Sequence, residues 1–339
     1  MPITIKTNME QIYKDTYLYF DEGPHKYTDS NGNEYISTTT IIGNYCPKFD
    51  VKYWAHKKAR EQGVSEKEII AQWAKIKDEA CERGTYKHNG LEDAIKDVSK
   101  FKEAIRYLEQ TETGRCITVA DIPDMIPTPL DVDKFKEATD NKYEEIYRVF
   151  QFYIDRGYTI YSEIAVFDPI LLISGKIDIL CIRATDFVIL DWKTNRDGLK
   201  FESGYFKKDK STIPNQLTNE WVKKSEYMLP PLNHLAECNG SHYTMQLSIY
   251  ARLVERILQI PCCGLGLCHI ASPFKLNKYG QPFRDKDGYH VDPDGEDKVT
   301  WYRINYLRNE ADAVFNDRLL QLKSISNKQN VQLNLFNYD

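Results

Sequence analysis

Residues 188–195, VILDWKTN, end an apolar run with two charged side chains, Asp191 and Lys193. In a strand alternate side chains point to opposite faces, so Asp191 and Lys193 share one face and Trp192 takes the other. Burying a carboxylate or an ammonium costs several kcal/mol unless a partner compensates it. A salt bridge at a strand terminus explains an isolated D-x-K. Chemistry would require further groups on the same face, and the chain offers candidates on both sides.

The preceding strand, within SGKIDIL, carries Gly175 and Asp178. Only a short turn separates it from FVILDWKT, so the two form an antiparallel hairpin in which Asp178 can stand beside Asp191. Two carboxylates held together repel, more strongly the deeper they are buried, and a shared divalent cation would remove that repulsion. Lys193 at the edge of such a site could orient a water, withdraw its proton or offset charge on a phosphorane-like transition state. Upstream, RGTYKHNGLEDAI places His88 and Glu92 at i and i+4, on one face of a helix, where the imidazole can add a nitrogen ligand. Downstream, Gln246 and Tyr250 have the same spacing. They are either polar tips of an amphipathic helix or groups that orient water or phosphate.

The elements that must position these residues follow from periodicity. Alternation in TYLYF and HKYTDSNGNEYIS, with Asn31, Gly32 and Asn33 as the turn, predicts an N-terminal hairpin. Residues 50–97 read as helical, and Ser65 to Glu68 form a capping box that starts a long helix. A proline-bearing connection leads to a further helical run over 133–157, with Gly157 as its C-cap. Three strands follow, YTIYSEIAVFD, ISGKIDILCIRA and FVILDWKT, each apolar at nearly every central position, as in a sheet covered on both faces. A polar insertion over 195–241, a helix over 243–258, a strand at GLGLCHI, a second hairpin over 271–306 and a last helix over 309–325 complete the order. The expected fold is α/β, a mixed central sheet flanked by helices with a helical N-terminal elaboration. It forms one domain over 1–324, with its core at 80–306 and the hairpin and helices of 1–79 before it; residues 325–339 are a linker and tail.

With 339 residues, 42% of them hydrophobic, the chain can bury a core. Its net charge of −5 argues against coating nucleic acid through bulk positive charge, but leaves room for local clusters such as HKKAR at 56–60 and KKDK at 207–210. No signal-like segment and no membrane-length apolar run is visible, so a cytoplasmic location is expected. The eight cysteines contain no C-x-x-C and read as reduced core residues, neither a disulfide framework nor a zinc site. The acidic stretch RDKDGYHVDPDGEDK lacks the spacing of an EF-hand calcium loop.

Together these residues resemble the RecB-like branch of the PD-(D/E)XK nucleases, with a look closest to its phage-encoded exonucleases. The motifs stand in order: Gly84, Thr85, His88 and Glu92; Glu163 on the first strand; Gly175 and Asp178; Asp191 and Lys193; Gln246 and Tyr250. His25, Tyr27, Ser37 and Thr39 add an H-x-Y and S-x-T signal, so the resemblance covers about residues 25–270. It implies a restriction-endonuclease-like core and Mg²⁺ or Mn²⁺ held by His88, Asp178, Asp191 and the backbone carbonyl of Trp192. Lys193 would be the catalytic lysine, supported by Gln246 and Tyr250, with Glu163 ordering the site, binding a second metal or forming a salt bridge. Some relatives carry an iron–sulfur cluster on four cysteines; Cys262, Cys263 and Cys268 depart from that pattern, and no cluster is expected. The implied activity is exonucleolytic hydrolysis of DNA at ends or on single strands, in phage-type replication or recombination. A structure-selective endonuclease and a catalytically silent DNA-binding scaffold are the alternatives.

Two segments lie outside those motifs. The insertion is rich in lysine and aromatics, including Tyr205, Phe206, Trp221 and Tyr227, and is either a surface flap or a track for a DNA strand. The tail ends in Gln332, Leu333, Asn334, Leu335 and Phe336. This Q-L-x-L-F resembles the short peptide by which bacterial replication proteins dock on the sliding clamp, a glutamine at the pocket rim with apolar side chains in the groove. A terminal hook packed on the chain's own domain or on a second subunit is the other reading.

Overall fold

The computed structural model describes residues 16, 18–21, 26–96 and 130–336, without the side chains at 19, 20, 93, 96, 163 and 326–336. The chain opens with β1 (Leu18–Asp21), β2 (Lys26–Asp29) and β3 (Glu34–Ser37), paired antiparallel in that order. Buried Asp29 organises the β2–β3 turn. Its carboxylate accepts hydrogen bonds from the Asn31 and Asn33 amides at 2.9 Å each, from Asn33 Nδ2 at 2.9 Å and from the Tyr35 hydroxyl at 3.1 Å. Ser37 then caps α1 (Thr38–Gly43), its hydroxyl accepting from the Thr40 amide at 3.1 Å and lying 3.1 Å from Thr39 Oγ1. The S-x-T signal therefore has a structural explanation as a helix cap. His25 lies outside the described residues.

Next come α2 (Val51–Gln62) and α3 (Glu66–Lys96). The capping box is formed as expected: Glu68 accepts from the Ser65 amide at 2.7 Å while Ser65 Oγ accepts from the Glu68 amide at 3.2 Å. The helical run expected over 133–157 is two helices, α4 (Val132–Ala138) and α5 (Glu144–Ile154). Asp140 and Asn141 break it by adopting left-handed backbone, φ 53° and 58°, which these short polar residues tolerate. Gly157, also left-handed at φ 79°, lies beyond the actual cap Asp155 and turns the chain into the sheet.

β4 (Thr159–Asp168), β5 (Ile173–Ile182) and β6 (Phe187–Lys193) form an antiparallel meander. The insertion is not wholly irregular: β7 (Gly204–Asp209) and β8 (Gln216–Lys223) make a separate two-stranded ribbon. After α6 (Asn239–Leu258), β9 (Cys262–Ala271) returns parallel to β6, and the chain makes the small pair β10 (Arg284–Asp285) and β11 (Gly288–Tyr289). β12 (Lys298–Ile304) then closes the sheet antiparallel to β9. The sheet is mixed, with β3 also running parallel to β5.

Helices cover both faces, which explains the continuous apolar strands. Phe187, Ile189 and Leu180 pack with α1, α6 and the start of the final helix α7 (Arg308–Phe336). Val188, Leu190, Trp192 and Ile179 pack with the end of α3 and with α4 and α5. The sheet is thus the middle layer of an α/β sandwich, and Trp192 lies on the face opposite α6.

One further expectation needs correction. The polar stretch after residue 325 is not a linker, because α7 continues through Phe336. SISNKQNVQLNLF contains neither glycine nor proline, so nothing in it breaks a helix already started. The side chains of Gln332, Leu333, Leu335 and Phe336 lie outside the described residues, and the clamp-docking expectation rests on sequence alone.

Asp29 offers a test of the hairpin. Burial works to raise its carboxyl pKa, but the bonds from Asn33, Asn31 and Tyr35 outweigh it and hold it below the ordinary value of 3.8. A depressed folded pKa contributes stability that is present above the unfolded value and lost as pH falls through the folded one. Asp29→Ala is expected to destabilise the chain by about 2 kcal/mol in urea unfolding at pH 7. The advantage of wild type over Asp29→Asn is expected to shrink below pH about 4.

Candidate metal centre

Strand register brings the two carboxylates together. Ile179 pairs with Leu190 at the end of the β5–β6 ladder, so the next positions out are Asp178 and Asp191. Past that point the ladder gives way to a side-chain bond: the Trp192 amide donates to Asp178 Oδ2 at 2.9 Å. Asp178 thus holds the backbone whose carbonyl belongs to the expected ligand set.

α3 delivers His88 from the other side. Gly84, one turn earlier, lies so close to the end of β6 that an added Cβ would stand 3.0 Å from Thr194 Oγ1. That approach lets His88 Nε2 reach 3.1 Å from Asp178 Oδ2, while Nδ1 faces Glu92 at 3.7 Å one turn further on. Thr85 is exposed, and the structure offers no role for it.

α6 supplies the third wall. Gln246 Oε1 accepts from Lys193 Nζ at 3.4 Å, and its Nε2 donates to the Tyr250 hydroxyl at 3.2 Å, which fixes the orientation of the amide. The Tyr250 ring lies over Gly175, where an added Cβ would meet its Cε1 at 2.2 Å. Glycine in G-x-x-D is therefore required by the close approach of an aromatic ring three residues from Asp178. Sequence reasoning missed Tyr243, whose ring centre is 4.4 Å from Lys193 Nζ, and Asn195, whose side chain bonds the Tyr243 hydroxyl at 2.8 Å. The helical spacing of 243, 246 and 250 was the available signal.

Electrostatically the site is strained. Asp191 is 1% exposed, and its Oδ2 is held by the Lys193 ammonium as an ion pair. Burial, and next the charge of Asp178, push its carboxyl up to about 7. Burial also works against the Asp178 charge, but the His88 hydrogen bond and charge, with Lys193, bring it below the usual range. For Lys193, burial favours the neutral amine, and Asp191 and Asp178 reverse this, raising its pKa. Burial likewise raises the Tyr250 phenol, keeping it a neutral donor and acceptor at ordinary pH. One histidine and one lysine thus stand against two carboxylates in the site.

Glu163 lies on β4 between Ser162 and Ile164, which pair with Ile179 and Ile177; its side chain is outside the described set. Cys262 and Cys268 are six residues apart on β9, about 20 Å along an extended strand, too far for one compact cluster. Comparison of the chain with protein-family models, with curated proteins and with solved structures gives no match.

The raised Asp191 pKa has a thermodynamic consequence. A carboxyl with a higher pKa in the folded than in the unfolded chain favours folding in its protonated form, so its contribution is lost as pH rises from about 4 to about 7. In chelator-treated protein, Asp191→Asn is expected to raise Tm, and by more at pH 8 than at pH 5. An equal or lower Tm at pH 8 would mean that Asp191 is not under strain.

Proposed function

We propose that the chain is a Mg²⁺- or Mn²⁺-dependent deoxyribonuclease with a RecB-like PD-(D/E)XK core, acting as an exonuclease on DNA ends or single strands. The observation that carries this reading is the meeting of His88, Asp178, Asp191, Lys193 and Gln246, from four separate elements, in one enclosed site. Such a site costs folding free energy and contributes little stability in return, which fits a functional arrangement better than a structural ion pair.

The donor set suits a hard divalent cation: two carboxylates, an imidazole nitrogen and a backbone carbonyl. His88, Asp178, Asp191 and the Trp192 carbonyl would hold it. When bound, the cation supplies charge to the scissile phosphate and makes water a better nucleophile. Lys193, as an ammonium, donates to the attacking water or to a non-bridging phosphate oxygen and opposes the negative charge that grows there. Gln246 aims the ammonium and Tyr250 aims Gln246, so these two act by positioning.

A path for the strand begins three residues after Lys193. A cavity of about 960 Å³ lies between α2 and the β7–β8 ribbon, lined by Trp54, Lys58, Arg196, Lys200, Phe206 and Trp221 among others, with cations outnumbering acids. Lys200 Nζ sits 4.8 Å from the Phe206 ring centre and 5.5 Å from that of Trp221. Lys207, Lys208 and Lys210 also line this cavity, a crowding of positive charge that a polyanion would relieve. Lysines to follow phosphates and rings to stack bases are the means by which single strands are held without sequence preference. This favours the strand-tracking role of the insertion over an inert flap.

The tests use end-labelled single- and double-stranded oligonucleotides beside covalently closed circles, with Mn²⁺ or Mg²⁺. Lys193→Ala and Asp191→Ala are each expected to reduce hydrolysis by about 10³-fold or more with an unchanged far-ultraviolet dichroism spectrum. Lys200→Ala combined with Lys208→Ala is expected to weaken DNA binding and reduce its salt slope by about 2. Full activity in Lys193→Ala would contradict the assignment, and cutting of closed circles would replace the exonuclease with an endonuclease.

A further inference from the structure

A second group of ligand atoms sits at the start of α6, separate from the carboxylate pair. Cys46 follows α1, Glu237 precedes the helix cap Cys238, and His242 lies in the first turn. His242 Nε2 is 3.3 Å from Cys46 Sγ and 3.0 Å from Glu237 Oε1, and one ligand atom from each of the three residues lies within 4.8 Å of the others. An imidazole nitrogen offers either one N–H or one lone pair, yet two partners face this one. The other Glu237 oxygen, Oε2, is buried and has no hydrogen-bond partner among the described residues. Burial and the neighbouring Glu237 push the Cys46 thiol up to about 11, so in the absence of a cation the sulfur stays protonated beside the acid.

The two contacts of His242, 3.3 and 3.0 Å, are near those of ligands sharing one ion. Around tetrahedral zinc, bond lengths of about 2.3 Å to sulfur and about 2.0–2.2 Å to nitrogen and oxygen separate neighbouring ligand atoms by roughly 3.4–3.6 Å. The observed contacts are a few tenths of an ångström shorter. A thiolate, an imidazole and a carboxylate form a mixed soft and borderline set that suits Zn²⁺ and not the all-oxygen preference of Mg²⁺.

We propose that Cys46, Glu237 and His242 bind one Zn²⁺, with water as fourth ligand, and that the ion fastens the segment after α1 to the beginning of α6. On binding, the Cys46 S–H bond breaks, sulfur keeps the electron pair as a ligand to zinc, and the proton passes to solvent. No electron is transferred. Tyr45, the neighbour of Cys46, already accepts a hydrogen bond at 2.6 Å from the amide of Leu229, in the loop that leads to Glu237. His242 lies one helical turn before Gln246, so the ion would fix the end of the helix that orients Lys193. The inference stands independently of the nuclease reading.

The test takes the full chain, stripped of metal by a chelator, and titrates it with Zn²⁺ and with Co²⁺. One tightly bound equivalent of Zn²⁺ is expected, and Co²⁺ is expected to give a thiolate-to-metal charge-transfer band. Cys46→Ser is expected to remove the band and to weaken Zn²⁺ binding by at least about 10-fold. Glu237→Gln, a nearly isosteric change, is expected to weaken binding while keeping the band, which preserves the test should Cys46→Ser not fold. Asp191→Asn is expected to leave both unchanged. Absence of the band in wild type would overturn the proposal, as would unweakened zinc binding in Glu237→Gln or loss of the zinc equivalent in Asp191→Asn.

Discussion

Two carboxylates pressed together at the end of a covered β-hairpin are the constraint around which this structure is arranged. Asp178 and Asp191 face each other across the first positions beyond an antiparallel ladder, and their mutual repulsion grows as solvent leaves. Each neighbouring group answers it differently. His88 and the Trp192 amide stabilise charge on Asp178, Lys193 contacts Asp191, and Gln246 holds the lysine in place. This keeps the pair together without fully compensating it, which is the condition under which a divalent cation gains most from binding.

The surrounding fold serves that arrangement at close quarters. Gly84 lets α3 approach the end of β6, and Gly175 leaves room for the Tyr250 ring, so both glycines act through the space a side chain would fill. The sandwich supplies rigid supports from both faces, α3 through His88 and α6 through Gln246, and β6 lies in the interior of the sheet. A site on such elements is held more firmly than one on loops. The basic and aromatic groove begins with Arg196, three residues after Lys193.

Much of this was legible in local pattern. The two-residue period of a strand separated Asp191 and Lys193 from Trp192, and the helical spacing of His88 with Glu92 and of Gln246 with Tyr250 marked faces that do meet the site. The mixed sheet covered by helices was legible from apolar strands beside amphipathic helices. Features that depend on contacts distant in sequence were not: the ribbon within the insertion pairs residues that lack strong alternation, and Cys46 meets His242 across 196 positions. Asp140 and Asn141 broke a run of helical periodicity because backbone preference at two residues outweighed the pattern around them. At the C-terminus the opposite occurred, where polar composition suggested a linker although no residue in it interrupts a helix.

If the Asp178–Asp191 pair holds a cation, anomalous scattering from Mn²⁺-soaked crystals of the full chain will locate it. A manganese peak within bonding distance of His88, Asp178 and Asp191, with the Lys193 ammonium displaced from Asp191, is expected. Well-ordered carboxylates without manganese, and an intact Asp191–Lys193 ion pair at saturating Mn²⁺, would contradict it.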